Sequence, residues 1–227
     1  MTERSAQTAC PIVFDLDGTL IDSAPDIHAA ANAVLRDNGV PLLTLDRIRS
    51  FIGGGVEVLW QKIIADRDLD PAVRPQLVAA FMSRYHDATS LTRLYPNVLE
   101  TLGILADAGH PLGICTNKPL GPTRAILDHM GLSGLFAHVI GGDSVPQKKP
   151  APEPLWAAIR GLGDDPHAPR AVYVGDSEFD AACAAAAGVP LMLFTRGYRL
   201  TPVERLTHEA AFDDHAALPA LIANRFG

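Results

Sequence analysis

Short apolar runs that stop at glycine or aspartate recur along the chain, separated by stretches with apolar residues at helical spacing. The first run, 11–14, halts at Asp15-Leu16-Asp17-Gly18-Thr19 and predicts a buried strand ending in a loop. Asp22-Ser23-Ala24-Pro25-Asp26 then reads as a helix start, with Asp22 or Ser23 as N-cap, and Asn38-Gly39 ends that helix. Residues 46–52, 56–65 and 72–86 keep helical spacing with no strand-like run, interrupted by Gly53-Gly54-Gly55. Beyond Tyr95-Pro96 the texture alternates. Predicted helices at 97–108, 121–130, 152–161 and 178–187 are interleaved with apolar runs at 111–115, 137–140, 171–174 and 190–194, and a last helix covers 216–225.

Short apolar runs alternating with helices predict parallel strands joined by right-handed crossovers. The fold class is α/β, a three-layer sandwich with a parallel, Rossmann-like sheet. The all-helical block at 40–92 follows the first strand and is therefore an insertion into the α/β core. At 227 residues and 24.2 kDa the chain fits one core with a smaller inserted unit. The hydrophobic content of 48% excludes an intrinsically disordered chain.

Charge narrows the function classes. Lys and Arg number 19 against 26 Asp and Glu, a net charge of −7, which argues against nucleic acid or an anionic membrane as partner. A single phosphorylated small molecule needs only a few local cations and stays open. Cys10, Cys115 and Cys183 are far apart and show no zinc-ligand spacing, as expected of free thiols in a reducing cytoplasm. No 18-residue apolar run occurs, and the N-terminal stretch lacks the apolar segment of a signal peptide. The expectation is a cytoplasmic protein, monomeric or homodimeric.

In an open parallel sheet, ligands bind outside the C-terminal ends of the strands. Here those ends carry Asp15 and Asp17, then Thr116-Asn117-Lys118, then Asp176 with Asp180 four residues on, while Lys149 follows the run at 137–140. Taken singly, each is ordinary: an Asp after a strand is commonly a turn former or a helix N-cap. Together, several carboxylates at neighbouring strand ends repel one another unless a cation sits among them, and an oxygen-only donor set suits Mg²⁺. Such a site could use Asp15 as a nucleophile that takes up a phosphoryl group. Asp17 would serve as the acid and base for the leaving oxygen and the attacking water. Thr116 and Lys149 would hold the phosphoryl oxygens.

These residues, in this order, resemble the haloacid dehalogenase-like (HAD) superfamily of phosphohydrolases over essentially the whole chain. Asp15-Leu16-Asp17-Gly18-Thr19-Leu20 is similar to its first motif, Cys115-Thr116-Asn117 to its second, Lys149-Pro150 to its third and Gly175-Asp176-Ser177-Glu178-Phe179-Asp180 to its fourth. The resemblance implies Asp15, the backbone carbonyl of Asp17 and Asp176 as Mg²⁺ ligands, with Asp180 supporting them from behind. It also implies a catalytic core formed by 1–21 and 93–227 and a helical cap over 22–92 that opens and closes on the site. True dehalogenases lack the second aspartate of the first motif, so Asp17 points to phosphate chemistry. Within the phosphatases, Thr19-Leu20-Ile21-Asp22-Ser23-Ala24-Pro25-Asp26 and Lys149-Pro150-Ala151-Pro152-Glu153-Pro154-Leu155 are similar to bacterial phosphoglycolate phosphatases. That similarity implies hydrolysis of 2-phosphoglycolate. The alternatives are a β-phosphoglucomutase-like phosphomutase and a phosphatase of a sugar phosphate, a nucleotide or pyrophosphate.

Several residues have two readings. Gly54 and Gly55 either bring bare backbone to a small anionic substrate, alongside Asn117, or merely connect helices. Arg47 and Arg49 either meet a substrate carboxylate or form a solvated face. His28 reads as structural, Cys115 as a small buried hydrophobe, Lys118 as rim, and the alanine-rich stretch 181–187 as a packed helix. Asn97 stands where relatives carry glycine, which touches the geometry of the return from the cap.

Overall fold

The computed structural model describes residues 9–167 and 169–226; the polar stretch 1–8, whose lack of an apolar segment was noted above, lies outside the described residues. Strands β1 (Ile12–Phe14), β4 (Leu112–Cys115), β5 (His138–Ile140), β6 (Val172–Gly175), β7 (Leu191–Phe194) and β8 (Ala210–Phe212) form a wholly parallel sheet in the order β5-β4-β1-β6-β7-β8. The chain moves from β1 outward through β4 and β5, then crosses back to β6 on the other side. The order therefore reverses around β1, which puts a ligand crevice at its C-terminal end.

Side chains alternate across the sheet. Ile12 and Phe14 face an apolar layer with α5 (Val98–Asp107), α6 (Leu120–His129) and α9 (Leu218–Phe226). Val13 and Tyr173 face the opposite layer with α7 (Glu153–Gly161) and α8 (Glu178–Ala187). Burial on both faces explains why β1, β4, β6 and β7 read as unbroken apolar runs.

Between β1 and β4 the chain leaves the sheet through β2 (Ile21–Asp22) and returns through β3 (Arg93–Leu94), which pair as a short antiparallel ribbon. Between them lie α1 (Ala24–Asp37), α2 (Leu45–Arg49), α3 (Val56–Asp66) and α4 (Arg74–Tyr85), packed around their own apolar cluster, with Trp60 and Phe81 fully buried at its centre. Two features depart from expectation. Ser23 occupies the N-cap of α1 but makes no capping bond. Instead the Tyr198 hydroxyl oxygen accepts from the N–H groups of Ser23 (2.8 Å) and Ala24 (3.0 Å), and Pro25 at the next position has no N–H to satisfy. Asn97 adopts the left-handed conformation at φ +63°, which glycine takes freely and asparagine tolerates best among other residues. Its side-chain amide donates to Asp214 at 2.7 Å, fixing the turn into α5.

Candidate active site

The crevice at the end of β1 gathers three carboxylates. Ligand oxygens of Asp15, Asp176 and Asp180 all lie within 4.8 Å of one another, and all three residues are buried. Asp15 follows β1 and is held by its N–H donating to Val174 O at 2.8 Å. Asp176 follows β6 and is gripped by two loops: Thr19 Oγ1 donates to Oδ1 at 2.9 Å and Tyr198 N to Oδ2 at 2.6 Å. Both loops approach through glycine. A Cβ on Gly18, at φ +89°, would lie 2.6 Å from Asp176 Oδ2, and one on Gly197 2.1 Å from it. Only hydrogen fits at either position.

Asp180 faces the protein. Its Oδ2 accepts from Asp176 N (3.1 Å), Ser177 N (3.0 Å) and Ser177 Oγ (2.7 Å), closing a capping box at the start of α8. Its Oδ1 lies 2.7 Å from both Lys149 Nζ and the Tyr173 hydroxyl. Lys149 Nζ also lies 2.9 Å from Tyr173 Oη and 2.9 Å from Asp15 Oδ1. All three ammonium donors are thus directed at Asp15, Asp180 and Tyr173. Tyr173 went unnoticed in the sequence; its signal is a phenol inside the buried run 171–174, since a buried hydroxyl needs a polar partner.

Electrostatics separate the three acids. Burial pushes the Asp15 carboxyl up to about 7, with Lys149 opposing and Asp180 reinforcing the rise. Burial, then the charges of Asp180 and Asp15, push Asp176 well above the usual carboxylate range. Asp180 is buried too, but Lys149 and its hydrogen bonds outweigh burial and hold it below that range. Three carboxylates against one ammonium leave two negative charges, and Asp15 Oδ1 has the Lys149 ammonium at 2.9 Å as its one charged partner among the described residues. An oxygen-only cluster of three buried carboxylates with two uncompensated charges fits a divalent cation.

Asp17 stands apart from that cluster. Its Oδ1 accepts from Ser23 Oγ (2.5 Å) and Lys118 Nζ (3.2 Å). Lys118, expected at the rim, is 7% exposed, because the Tyr85 side chain from α4 covers it and its ammonium bonds the Tyr85 hydroxyl. Asp17 and Lys118, with Asp15, Thr116, Asn117, Gly53 and Gly55, line a cavity of about 40 Å³ under the helical block. Thr116 Oγ1 accepts from Lys118 N at 3.2 Å. The Asn117 amide is committed to backbone: its nitrogen donates to Gly53 O (2.9 Å) and Lys149 O (3.0 Å), and its oxygen accepts from Lys149 N (2.9 Å).

Gly54 does not line the cavity; a Cβ there would meet Val58 at 2.7 Å, so its smallness serves the first turn of α3. Gly55, at φ +81°, does line it and passes close to Asn117 O. Arg47 and Arg49 stay outside. Arg47 pairs with Asp66 at 2.5 Å, and Arg49 reaches Asp46 (3.3 Å) and Asp22 (3.5 Å). His28 bonds Leu43 O and Asn32 within the helical block. The Cys115 thiol is raised well above its usual value by burial.

Residues 12–194 match the family model for haloacid dehalogenase-like hydrolases. The chain belongs to the haloacid dehalogenase-like hydrolase family. Within it, the chain is 47% identical over 214 residues to the phosphoglycolate phosphatase of Cereibacter sphaeroides (strain ATCC 17029 / ATH 2.4.9), covering 93% of this chain and 96% of that protein. It is 45% identical over 213 residues to the phosphoglycolate phosphatase of Rhodobacter capsulatus, covering 93% and 95%. A crystal structure of a predicted phosphoglycolate phosphatase from Haemophilus somnus 129pt superposes with a TM-score of 0.86 at 32% identity, covering 94% of this chain and 97% of that one. The haloacid dehalogenase-like core and its helical insertion are therefore both within the shared region. Among the described residues no helix is long and apolar enough to cross a membrane.

Proposed function

We propose that this hydrolase is a Mg²⁺-dependent phosphomonoesterase that converts 2-phosphoglycolate to glycolate and phosphate through an aspartyl-phosphate on Asp15. The observation that carries the reading is the 47% identity to a phosphoglycolate phosphatase over 93% of the chain. The cavity supports it: Asp15, Asp17 and Thr116 line one small space of about 40 Å³ under the helical block.

Asp15 and Asp176, with the backbone carbonyl of Asp17, would hold the cation, and Asp180 would fix Asp176 and Lys149 from behind. The chemistry a bound Mg²⁺ supplies is positive charge that keeps Asp15 ionised and offsets the phosphoryl oxygens. Asp15 attacks phosphorus, and the alkoxide leaves with a proton from Asp17. Asp17 Oδ2 makes no hydrogen bond among the described residues and is the oxygen available for that transfer. Asp17 then takes a proton from water, which cleaves the acyl phosphate. Lys149 sets the orientation of Asp15, and the Thr116 hydroxyl meets a phosphoryl oxygen. Helices α1–α4, within residues 22–92, act as a cap that excludes water while Gly53 and Gly55 give the substrate room. The free thiols of Cys10, Cys115 and Cys183 support a cytoplasmic setting.

The test is phosphate release from 2-phosphoglycolate, sugar phosphates, nucleotides and pyrophosphate, with Mg²⁺ and with EDTA. The expected result is a kcat/KM for 2-phosphoglycolate far above the others, lost in EDTA and restored by Mg²⁺. A sugar phosphate preferred over 2-phosphoglycolate would overturn the substrate reading, and full activity in EDTA the metal reading.

A further inference from the structure

We propose that Lys118 is the specificity-determining cation of the site, binding the carboxylate of a small phosphorylated acid in the cavity under the cap. The inference rests on the phosphatase reading above and names the group that selects its substrate class.

Among the described residues lining the cavity, Lys118 is the one cation; the arginines expected as carboxylate partners, Arg47 and Arg49, lie outside and are paired on the surface. The cavity wall opposite the sheet is apolar, built from Ile27, Ile52, Val56, Leu59 and Phe81. An anionic leaving group entering such a space has to find its positive charge at Lys118. An ammonium has three donors. Lys118 directs one to Asp17 Oδ1 and one to the Tyr85 hydroxyl, and the third has no partner among the described residues. A charged side chain 4% exposed against an apolar wall is costly as a purely structural element. A ligand oxygen fills the third donor.

The position is chemically apt. Asp17 is the group that meets the ester oxygen, and Lys118 Nζ lies 3.2 Å from Asp17 Oδ1 on the cap side. A carboxylate one methylene beyond the ester oxygen therefore falls within reach of Lys118 while the ester oxygen stays at Asp17. A longer acid overshoots into the apolar wall. Tyr85 comes from α4 and Lys118 from the loop after β4, so the carboxylate subsite is assembled from both layers and is complete only with the cap closed.

The experiment compares 2-phosphoglycolate with 2-hydroxyethyl phosphate, which replaces the carboxylate by a neutral CH₂OH, in wild type, Lys118→Met and Tyr85→Phe. Both esters lose turnover in Lys118→Met through the disturbed Asp17. The carboxylated ester loses a further 10- to 100-fold in kcat/KM, mostly as KM, the usual range for one hydrogen bond to a charged group. The selectivity ratio therefore collapses. Tyr85→Phe, whose ring keeps its stacking on Phe81 at 4.7 Å, lowers the ratio several-fold and serves if Lys118→Met does not fold. Equal losses on both esters, with the wild-type ratio retained in both variants, overturn the assignment of Lys118 alone. A wild type that shows no preference for the carboxylated ester overturns the phosphoglycolate reading itself.

Discussion

Asp180 and Lys149 meet at 2.7 Å in full burial, and neither lines the cavity where substrate would sit. The pair works as a bracket: one Asp180 oxygen orients the lysine that faces Asp15, and the other collects the N–H of Asp176. Asp180→Asn keeps the shape but removes the charge. The expected result is a half-saturating Mg²⁺ concentration raised about 10- to 100-fold, the usual cost of losing a partner behind a metal ligand. Titrating activity against Mg²⁺ checks it, and an unchanged midpoint would count against Asp180 as the support.

Gly197→Ala and Gly103→Ala form a matched pair. A Cβ at Gly197 collides with the Asp176 carboxylate at 2.1 Å, so the 195–198 loop has to move and take the Tyr198 N–H with it. Activity should fall at least about tenfold and stability by roughly 1–3 kcal/mol. Gly103 lies inside α5 with nothing within 4 Å of its would-be Cβ, and alanine there should stabilise by about 0.5–1 kcal/mol. Urea melts with activity assays on both variants decide the matter.

Tyr198→Phe removes the oxygen that accepts both N–H groups at the start of α1 and donates to Asp22 at 2.6 Å. The loss is about 1–2 kcal/mol of stability. Ser23→Ala, although it alters the N-cap residue itself, should cost less stability and more turnover, because that hydroxyl serves Asp17. If Ser23→Ala proved the more destabilising of the two, the assignment of the cap to Tyr198 would be wrong.

His215 is 1% exposed among Phe194, Phe212 and Tyr95, and burial pulls it down to about 4 from 6.5. The unfolded chain binds this proton below about 6.5 and the folded protein only below about 4, so acidification through that window favours unfolding. At 1.36 kcal/mol per pH unit, the interval is worth about 3 kcal/mol. His215→Phe should lose less stability than wild type between pH 7 and pH 4 by about that amount, measured by denaturant titration at both values. Identical pH profiles would rule the histidine out.

The strand ends were legible because chemistry and hydropathy coincide there: an unbroken apolar run that stops at Asp15 or Asp176 marks both a buried parallel strand and the crevice beyond it. What stayed hidden is tertiary. Lys118 reads as a rim residue until Tyr85, 33 positions earlier, covers it. Tyr198 lies after β7 in no motif, yet it closes α1 more than 170 positions away. The strand β8 escaped because Ala210 and Ala211 are half-buried or exposed at the sheet edge and carry no apolar run, and β2 and β3 are two residues each. Arg47 and Arg49 invited a substrate reading by charge alone, but their aspartate partners absorb them at the surface.

The three bonds of the Asn117 amide join segments that are 64 and 32 positions away. A foreign helical insertion grafted onto this core would have to present a backbone carbonyl where Gly53 now offers one, or strand an amide hydrogen beside the lysine loop. Compatibility between insertions and cores is thereby screened in part by a main-chain acceptor, a demand on the path of the grafted backbone and not on the identity of its side chains.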